Sequence, residues 1–131
     1  MIDKAIARTG VIGLGAMGLQ MARHMVAKGF EVCGTDIDQD AMRRAAGQGV
    51  RTCGSAAEVG DRAEIVVLMV ATDAQVNDLV RASGLLDTLR PGAVICIASS
   101  IAPKTCRDLA AIAAARDIGV LDTPVVPGGG Q

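Results

Sequence analysis

The chain has 131 residues, half of them hydrophobic, and a formal net charge of −1. This length fits one domain, so we expect a single domain over residues 1–131. Because the charge is close to neutral and no apolar stretch approaches the ~20 residues of a membrane span, we expect neither nucleic acid nor a membrane as a partner.

Short apolar runs alternate along the chain with segments of helical periodicity. The runs predict strands over residues 9–14, 30–35, 51–53, 64–70, 93–98 and 119–122. The segments between them predict helices over residues 16–28, 38–47, 56–60, 74–81 and 103–116. Gly29 and Gly47 follow the first two helices as stop signals, while Ser55 and Asp73 precede the third and fourth as candidate caps.

Strands that alternate with helices of this length indicate βαβ units, which form a parallel sheet. Because their crossovers are right-handed, we expect a doubly wound α/β fold of the Rossmann type with strand order 3-2-1-4-5-6. Helices on both faces of that sheet make three layers, α/β/α. Ligands of such sheets bind beyond the carboxyl ends of the strands, so the functional residues are expected there.

A glycine-rich turn follows the first predicted strand. It has the pattern GxGxxG and consists of Gly13, Leu14, Gly15, Ala16, Met17 and Gly18. Between a strand and a helix this pattern is typical of dinucleotide binding, since the glycines permit a tight turn, close approach of a diphosphate and close helix packing. The diphosphate then meets the free N–H groups at the helix N-terminus. These six residues are the predicted cofactor-binding loop.

Asp36 follows the second predicted strand, close to the interval of about 20 residues expected for a ribose-binding acid. A carboxylate there accepts hydrogen bonds from the adenosine ribose hydroxyls and repels a 2′-phosphate, which favours NAD over NADP. At the end of the fourth predicted strand, Val70, Ala71 and Thr72 lie at the switch point of the sheet. Their small size leaves room for a cofactor, so they complete the predicted site.

Three stretches of the chain, residues 11–18, 64–72 and 98–103, form a recognisable set. Together they resemble the β-hydroxyacid dehydrogenase family, which includes 3-hydroxyisobutyrate dehydrogenase and 6-phosphogluconate dehydrogenase. In the second stretch, Ala71 replaces a proline that many members have. In the third, Ser100 stands at the Thr position of the family's Ser-Ser-Thr-Ile-x-Pro segment.

The end of the chain resembles the family's substrate-binding Asp-x-Pro-Val-Ser-Gly-Gly segment, whose start matches residues 122–125. The resemblance implies that the backbone N–H groups of Gly128 and Gly129 bind the substrate carboxylate. Val126 and Pro127 stand where the family has Ser-Gly, so one hydroxyl donor and one N–H are missing. This departure puts a standard 3-hydroxyisobutyrate substrate in doubt.

The resemblance also implies an activity, namely reversible hydride transfer between NAD and a short β-hydroxy acid. Ser100 would then lie near both the nicotinamide and the substrate. The family's catalytic lysine belongs to a helical C-terminal part that this chain lacks, and none of Lys4, Lys28 and Lys104 matches its motif. We therefore expect the chain alone to be inactive, and the full-length protein to form homo-oligomers through that part.

Two other functions stay open from the residues. The missing lysine and the altered segment at Val126 and Pro127 are compatible with a non-catalytic NAD-binding module, acting as a redox sensor or regulatory subunit. An NADP-linked reductase of aldehydes or imines is the other alternative, and Asp36 argues against it.

The remaining reactive side chains predict no further site. No pair of cysteines has zinc-site spacing and the single histidine is far from them, so we expect no metal and reduced thiols in a cytoplasmic protein. The four cysteines are Cys33, Cys53, Cys96 and Cys106, and the single histidine is His24. We expect His24 on a helix surface and Ser99 as a hydrogen-bonding group at a strand end.

Overall fold

A computed structural model describes residues 7–123 of the chain. Its centre is a six-stranded parallel sheet in the order β3-β2-β1-β4-β5-β6, which confirms the predicted topology. The strands are β1 Arg8–Ile12, β2 Glu31–Thr35, β3 Arg51–Thr52, β4 Ile65–Leu68, β5 Val94–Ile97 and β6 Gly119–Asp122. The helices are α1 Ala16–Ala27, α2 Gln39–Ala46, α3 Ala56–Arg62, α4 Asp73–Arg81, α5 Leu85–Thr88 and α6 Pro103–Ala114.

The helices divide between the two faces of the sheet, as right-handed crossovers require. On one face, α1 and α2 cover β1 and β2 through a small core that includes Leu14, Ala22 and Ala45. On the other face, a larger hydrophobic core joins the strands to α3, α4, α5 and α6. Ile95 and Leu109 are fully buried in it. Because β1, β2 and β4 are covered on both faces, their apolar runs are nearly continuous.

The sheet face opposite α4 and α6 becomes more exposed toward the β6 edge. Val67, Cys96 and Leu121 lie side by side in register across β4, β5 and β6. Their exposure rises along that row, from 9% at Val67 to 52% at Leu121. An apolar row of this kind is a surface on which further polypeptide can pack.

The start of α4 differs from the prediction because a different side chain caps the helix. Thr72, and not Asp73, is the N-cap of α4: its hydroxyl accepts a hydrogen bond from the N–H of Gln75, whose side chain bonds back to the cap backbone. Asp73 instead bonds to a different helix. At the end of α2, Gly47 is the C-cap, as the predicted stop signal requires; its conformation is right-handed, and the left-handed glycine is Gly49, with φ +90°.

The short helix α5 was not predicted. It begins after Gly84, whose φ of +87° turns the chain before four residues of helix. A single helical turn carries too little periodicity to be detected in a sequence. Among the described residues, no helix has both the length and the apolar character needed to cross a membrane.

Candidate dinucleotide-binding site

A cleft of about 810 Å³ lies beyond the carboxyl ends of β1, β2 and β4. Four predicted site residues line it together: Gly13, Gly15, Asp36 and Val70. The cleft therefore coincides with the switch point of the sheet, where strand order reverses and ligands of this fold bind.

Gly13 and Gly18 are required by the packing of the turn itself. Gly13 has a φ of +101°, and a Cβ atom there would overlap the carbonyl oxygen of Met69. A Cβ atom on Gly18, in the first turn of α1, would overlap the carbonyl oxygen of Gly13. Both glycines thus let the loop, β4 and α1 approach one another, as the pattern predicts.

Gly15 is different, because nothing in the described chain requires a glycine there. No heavy atom of residues 7–123 outside its immediate neighbours lies within 4 Å of the position a Cβ atom would take. Its φ of −68° is one that any residue adopts. Gly15 also faces the cleft. The space beside it is therefore available to a ligand, which is the role expected of the second glycine of the motif.

The N-terminus of α1, which starts directly after Gly15, is left open toward the same cleft. Within the described residues, no side chain caps it and its first turn holds no acidic residue. Three other helices are capped by side chains, from Asp38, Ser55 and Thr72. Free N–H groups and the positive end of the helix dipole favour an anion, so this end of α1 suits a diphosphate.

The Asp36 carboxylate is held rigidly at the end of β2. Its Oδ2 accepts a hydrogen bond from the N–H of Leu14 at 2.6 Å, and its Oδ1 accepts one from the N–H of Asp38 at 2.9 Å. A carboxylate has lone pairs for about four hydrogen bonds, so two bonds leave acceptor capacity for ribose hydroxyls. Asp36 is therefore both a turn residue, through Asp38, and a cleft residue.

The other predicted residues lie around the cleft in different roles. The Thr72 hydroxyl caps α4, and the N–H of Ala71 donates to the Gln75 side chain at 2.8 Å. Ser100 is exposed just beyond β5, on the same carboxyl edge of the sheet. Gly128 and Gly129 lie outside the described residues, so their predicted contacts with a substrate stay predictions.

Ser99 and Lys104 match the minor expectations of the sequence. Ser99 is buried, with 8% exposed, and its Oγ accepts a hydrogen bond from the N–H of Val70 at 3.1 Å and also bonds the Val70 carbonyl. It is the predicted strand-end group rather than a nucleophile. Lys104 forms an exposed pair with Asp108, at 2.8 Å. His24 is exposed on α1.

The structure adds cleft residues that were not predicted. Ile37 is 95% exposed although it is apolar, and it follows Asp36 directly. Gly54 and Ser55 follow β3 and also line the cleft. Their positions just beyond strand ends are the signal that could have identified them. Asp78 and Leu79 of α4 line it as well, and only the packing of α4 beside the sheet reveals them.

Comparisons with known proteins identify the family of this domain. Residues 8–131 match the family model described as the NAD binding domain of 6-phosphogluconate dehydrogenase. The chain belongs to that family. Membership confirms both the resemblance and NAD as the cofactor of the domain.

Individual relatives give the same result. The chain is 35% identical to a protein of Dictyostelium discoideum named "Probable 3-hydroxyisobutyrate dehydrogenase, mitochondrial", over 92% of this chain and 38% of the relative. It is 32% identical to the NAD-dependent L-serine dehydrogenase of Pseudomonas aeruginosa, over 89% of this chain and 40% of that protein.

A solved structure confirms the fold. The 3-hydroxyisobutyrate dehydrogenase of Mycobacterium tuberculosis, solved with L-serine, superposes with a TM-score of 0.88 at 30% identity. The match covers 95% of this chain and 42% of that one. The chain thus spans about two fifths of the length of the relatives it matches.

Proposed function

We propose that this chain is the cofactor-binding part of an enzyme that transfers a hydride between NAD and a short β-hydroxy acid. The observation that supports it most directly is the Gly15 position, where neither packing nor backbone conformation explains a glycine. The open N-terminus of α1 at the same place supports a diphosphate as the ligand.

The residues of the cleft would make three kinds of contact with the cofactor. The first N–H groups of α1 would bind the diphosphate, and Asp36 would accept hydrogen bonds from the adenosine ribose. The exposed Ile37 offers an apolar contact beside that ribose position. When bound, the nicotinamide supplies the chemistry, since it accepts or donates a hydride.

The other end of the site would lie toward the ends of β4 and β5. Ala71 and Thr72 are small and exposed, and Ser100 is exposed on the neighbouring loop. We infer that Ser100 hydrogen-bonds near the nicotinamide and the substrate, while Gly128 and Gly129 bind the substrate carboxylate through backbone N–H groups. The support is the resemblance of these segments to the family's own.

The substrate class is supported by the names of the relatives. Both 3-hydroxyisobutyrate and L-serine carry a hydroxyl group on the β-carbon of a carboxylic acid, and relatives named for them align with most of this chain. We therefore propose a short β-hydroxy acid.

We further propose that the whole enzyme has a helical part beyond this domain, which supplies the catalytic lysine and forms homo-oligomers. The relatives are more than twice as long as the matched region. The row from buried Val67 through half-buried Cys96 to exposed Leu121 supplies an apolar surface at the β6 edge on which such a part can pack. A cytoplasmic location is supported by four free cysteines in the described part of the chain.

Calorimetric titration of the purified 131-residue chain with NAD, NADP and ADP-ribose tests the binding half of the proposal. We expect NAD and ADP-ribose to bind and NADP to bind at least about tenfold more weakly, since a 2′-phosphate meets the Asp36 carboxylate. Preference for NADP would favour an NADP-linked reductase instead.

The mass of the polypeptide purified from its native source tests the enzymatic half. A product much longer than 131 residues that reduces NAD with β-hydroxy acids would support the proposal. A product with the mass of this chain that binds NAD without turnover would favour a redox-sensing or regulatory module.

A further inference from the structure

The helix α6 begins without a capping side chain of its own. Its N-cap is Ala102, whose side chain has no oxygen to accept a hydrogen bond, and Pro103 follows at the first helical position. The acceptor comes from another part of the chain. Oδ2 of Asp73, in α4, accepts hydrogen bonds from the N–H of Ala102 at 3.1 Å and from the Thr105 hydroxyl at 2.8 Å.

Asp73 is free to do this because its own helix is capped by others. Thr72 and the side chain of Gln75 form a complete capping box at the start of α4. The Asp73 carboxylate is therefore not needed by α4, and both of the bonds it accepts go to the start of α6. Its negative charge lies at the N-termini of two helices, where both dipoles stabilise it.

The loop between β5 and α6 is also held by hydrogen bonds at its other end. These bonds are the second of two connections, called ties below, between this loop and the β4–α4 loop. Ser99 is buried and bonds the backbone of Val70, as described above, and the N–H of Ala98 donates to the carbonyl of Leu68 at 3.0 Å. The loop from β5 to α6 is thus joined to the β4–α4 loop both before and after Ser100. Ser100 itself is exposed between the two ties.

We propose that Asp73 is a positioning residue for Ser100. It fixes the β5–α6 loop against the β4–α4 loop, so that Ser100 is presented at the nicotinamide end of the cleft in one conformation. This inference rests on the proposed function in that Ser100 serves that end of the site. The tie itself is independent of any ligand.

Three variants test the tie: Asp73→Ala, Asp73→Asn and Thr105→Val. Asp73→Asn keeps an oxygen acceptor and should largely preserve the loop, while Thr105→Val removes one of the two bonds with little change of shape. Asp108→Ala is the matched control, because Asp108 is an exposed acid on α6 that pairs with Lys104.

The first measurement is hydrogen–deuterium exchange of the amides of residues 98–106 without ligand. Asp73→Ala should raise their exchange about tenfold or more, since the N-terminus of α6 loses its acceptor. Thr105→Val should raise it less, and Asp73→Asn and Asp108→Ala should stay near the parent chain. Unchanged exchange in both Asp73→Ala and Thr105→Val would overturn the proposal.

The second measurement compares NAD with ADP-ribose, which shares everything with NAD except the nicotinamide. Asp73→Ala should weaken NAD about tenfold, because ordering the loop then costs binding energy, and should leave ADP-ribose within about twofold. An equal loss for both ligands would mean a general structural role and would also overturn the proposal. If the parent chain binds neither ligand, the proposed function fails, while the exchange experiment still decides whether Asp73 holds the loop. Thr105→Val provides both readouts should Asp73→Ala not fold.

Discussion

Asp36 and Leu14 are joined by a hydrogen bond of 2.6 Å, from the N–H of Leu14 to Oδ2 of the carboxylate. The bond links the end of β2 to the middle of the glycine loop. The acid expected to select the ribose therefore also fixes the loop expected to bind the diphosphate. A change at Asp36 should affect both parts of the cofactor.

Asp36→Ser tests the choice between NAD and NADP. Removing the carboxylate removes the repulsion of a 2′-phosphate, so affinity for NADP should rise about tenfold or more. Affinity for NAD should fall, since a serine hydroxyl replaces a charged acceptor and the bond to Leu14 weakens. Calorimetric titration with both cofactors measures the two changes.

Asp38→Ser is the control for this prediction. Asp38 carries the same charge two residues away and caps α2 by accepting a hydrogen bond from the N–H of Asp40 at 2.9 Å. Serine is a comparable cap, so α2 should persist and NADP affinity should change by less than about threefold. If Asp36→Ser gains no more NADP affinity than Asp38→Ser, then Asp36 does not select the cofactor.

Gly15→Val should abolish NAD binding and leave the domain folded. The side chain enters open space within the chain but occupies the place of the diphosphate. Valine is a poorer N-cap than glycine, so we expect a loss of about 1 kcal/mol in the free energy of unfolding. Urea unfolding and NAD titration of the same sample separate the two effects.

Gly18→Ala, by contrast, should strongly destabilise the fold. Its Cβ atom meets the Gly13 carbonyl oxygen, so the loop and α1 must move apart. We expect a loss of about 3 kcal/mol or more in the free energy of unfolding, as in severe overpacking. A Gly18→Ala chain as stable as the parent would contradict the packing role of this glycine, and a folded Gly15→Val chain with full NAD affinity would contradict the diphosphate site.

Ser99→Ala and Ser100→Ala should lower the free energy of unfolding by different amounts, although the two hydroxyl groups are neighbours in the chain. Ser99→Ala removes the partner of the Val70 N–H in a buried place and should cost about 1–2 kcal/mol in urea unfolding. Ser100→Ala changes an exposed hydroxyl and should stay within about 0.5 kcal/mol of the parent. Equal losses in the two variants would show that Ser99 does not hold the β5–α6 loop.

The four thiols should differ in reactivity. Burial raises the pKa of Cys33 to about 12 and also raises the pKa of Cys53, so neither forms the reactive thiolate near neutral pH. Cys96 and Cys106 are half-buried, and burial raises the pKa of each as well. With a disulfide reagent at pH 8, Cys96 and Cys106 should react slowly and Cys33 and Cys53 not at all.

The same titration in denaturant, where all four thiols should react, provides the reference rate. Cys33→Ser and Cys53→Ser variants assign the unreactive pair. Rapid modification of Cys33 in the native chain would mean that the β2–β3 part of the core opens readily.

The sequence sufficed for the fold and for the glycine loop because both depend on local order. Apolar runs alternate with helical periodicity, and right-handed crossovers between such units favour a doubly wound sheet, for which 3-2-1-4-5-6 is a common strand order. Gly13 and Gly18 are recognisable because each must lack a side chain at a fixed distance from a strand end, and Gly15 completes the pattern between them. Asp36 is recognisable by its position after the next strand, at the interval expected for a ribose-binding acid.

Tertiary packing decided which groups bond across the loops. Asp73 was expected to cap its own helix, yet Thr72 and Gln75 cap it, and Asp73 bonds α6 because the sheet brings the two helix starts together. Leu79 reaches the cleft for a similar reason, since α4 packs beside it. A local pattern reports which residues can cap or bind, whereas the contacts between distant segments depend on how the helices pack on the sheet.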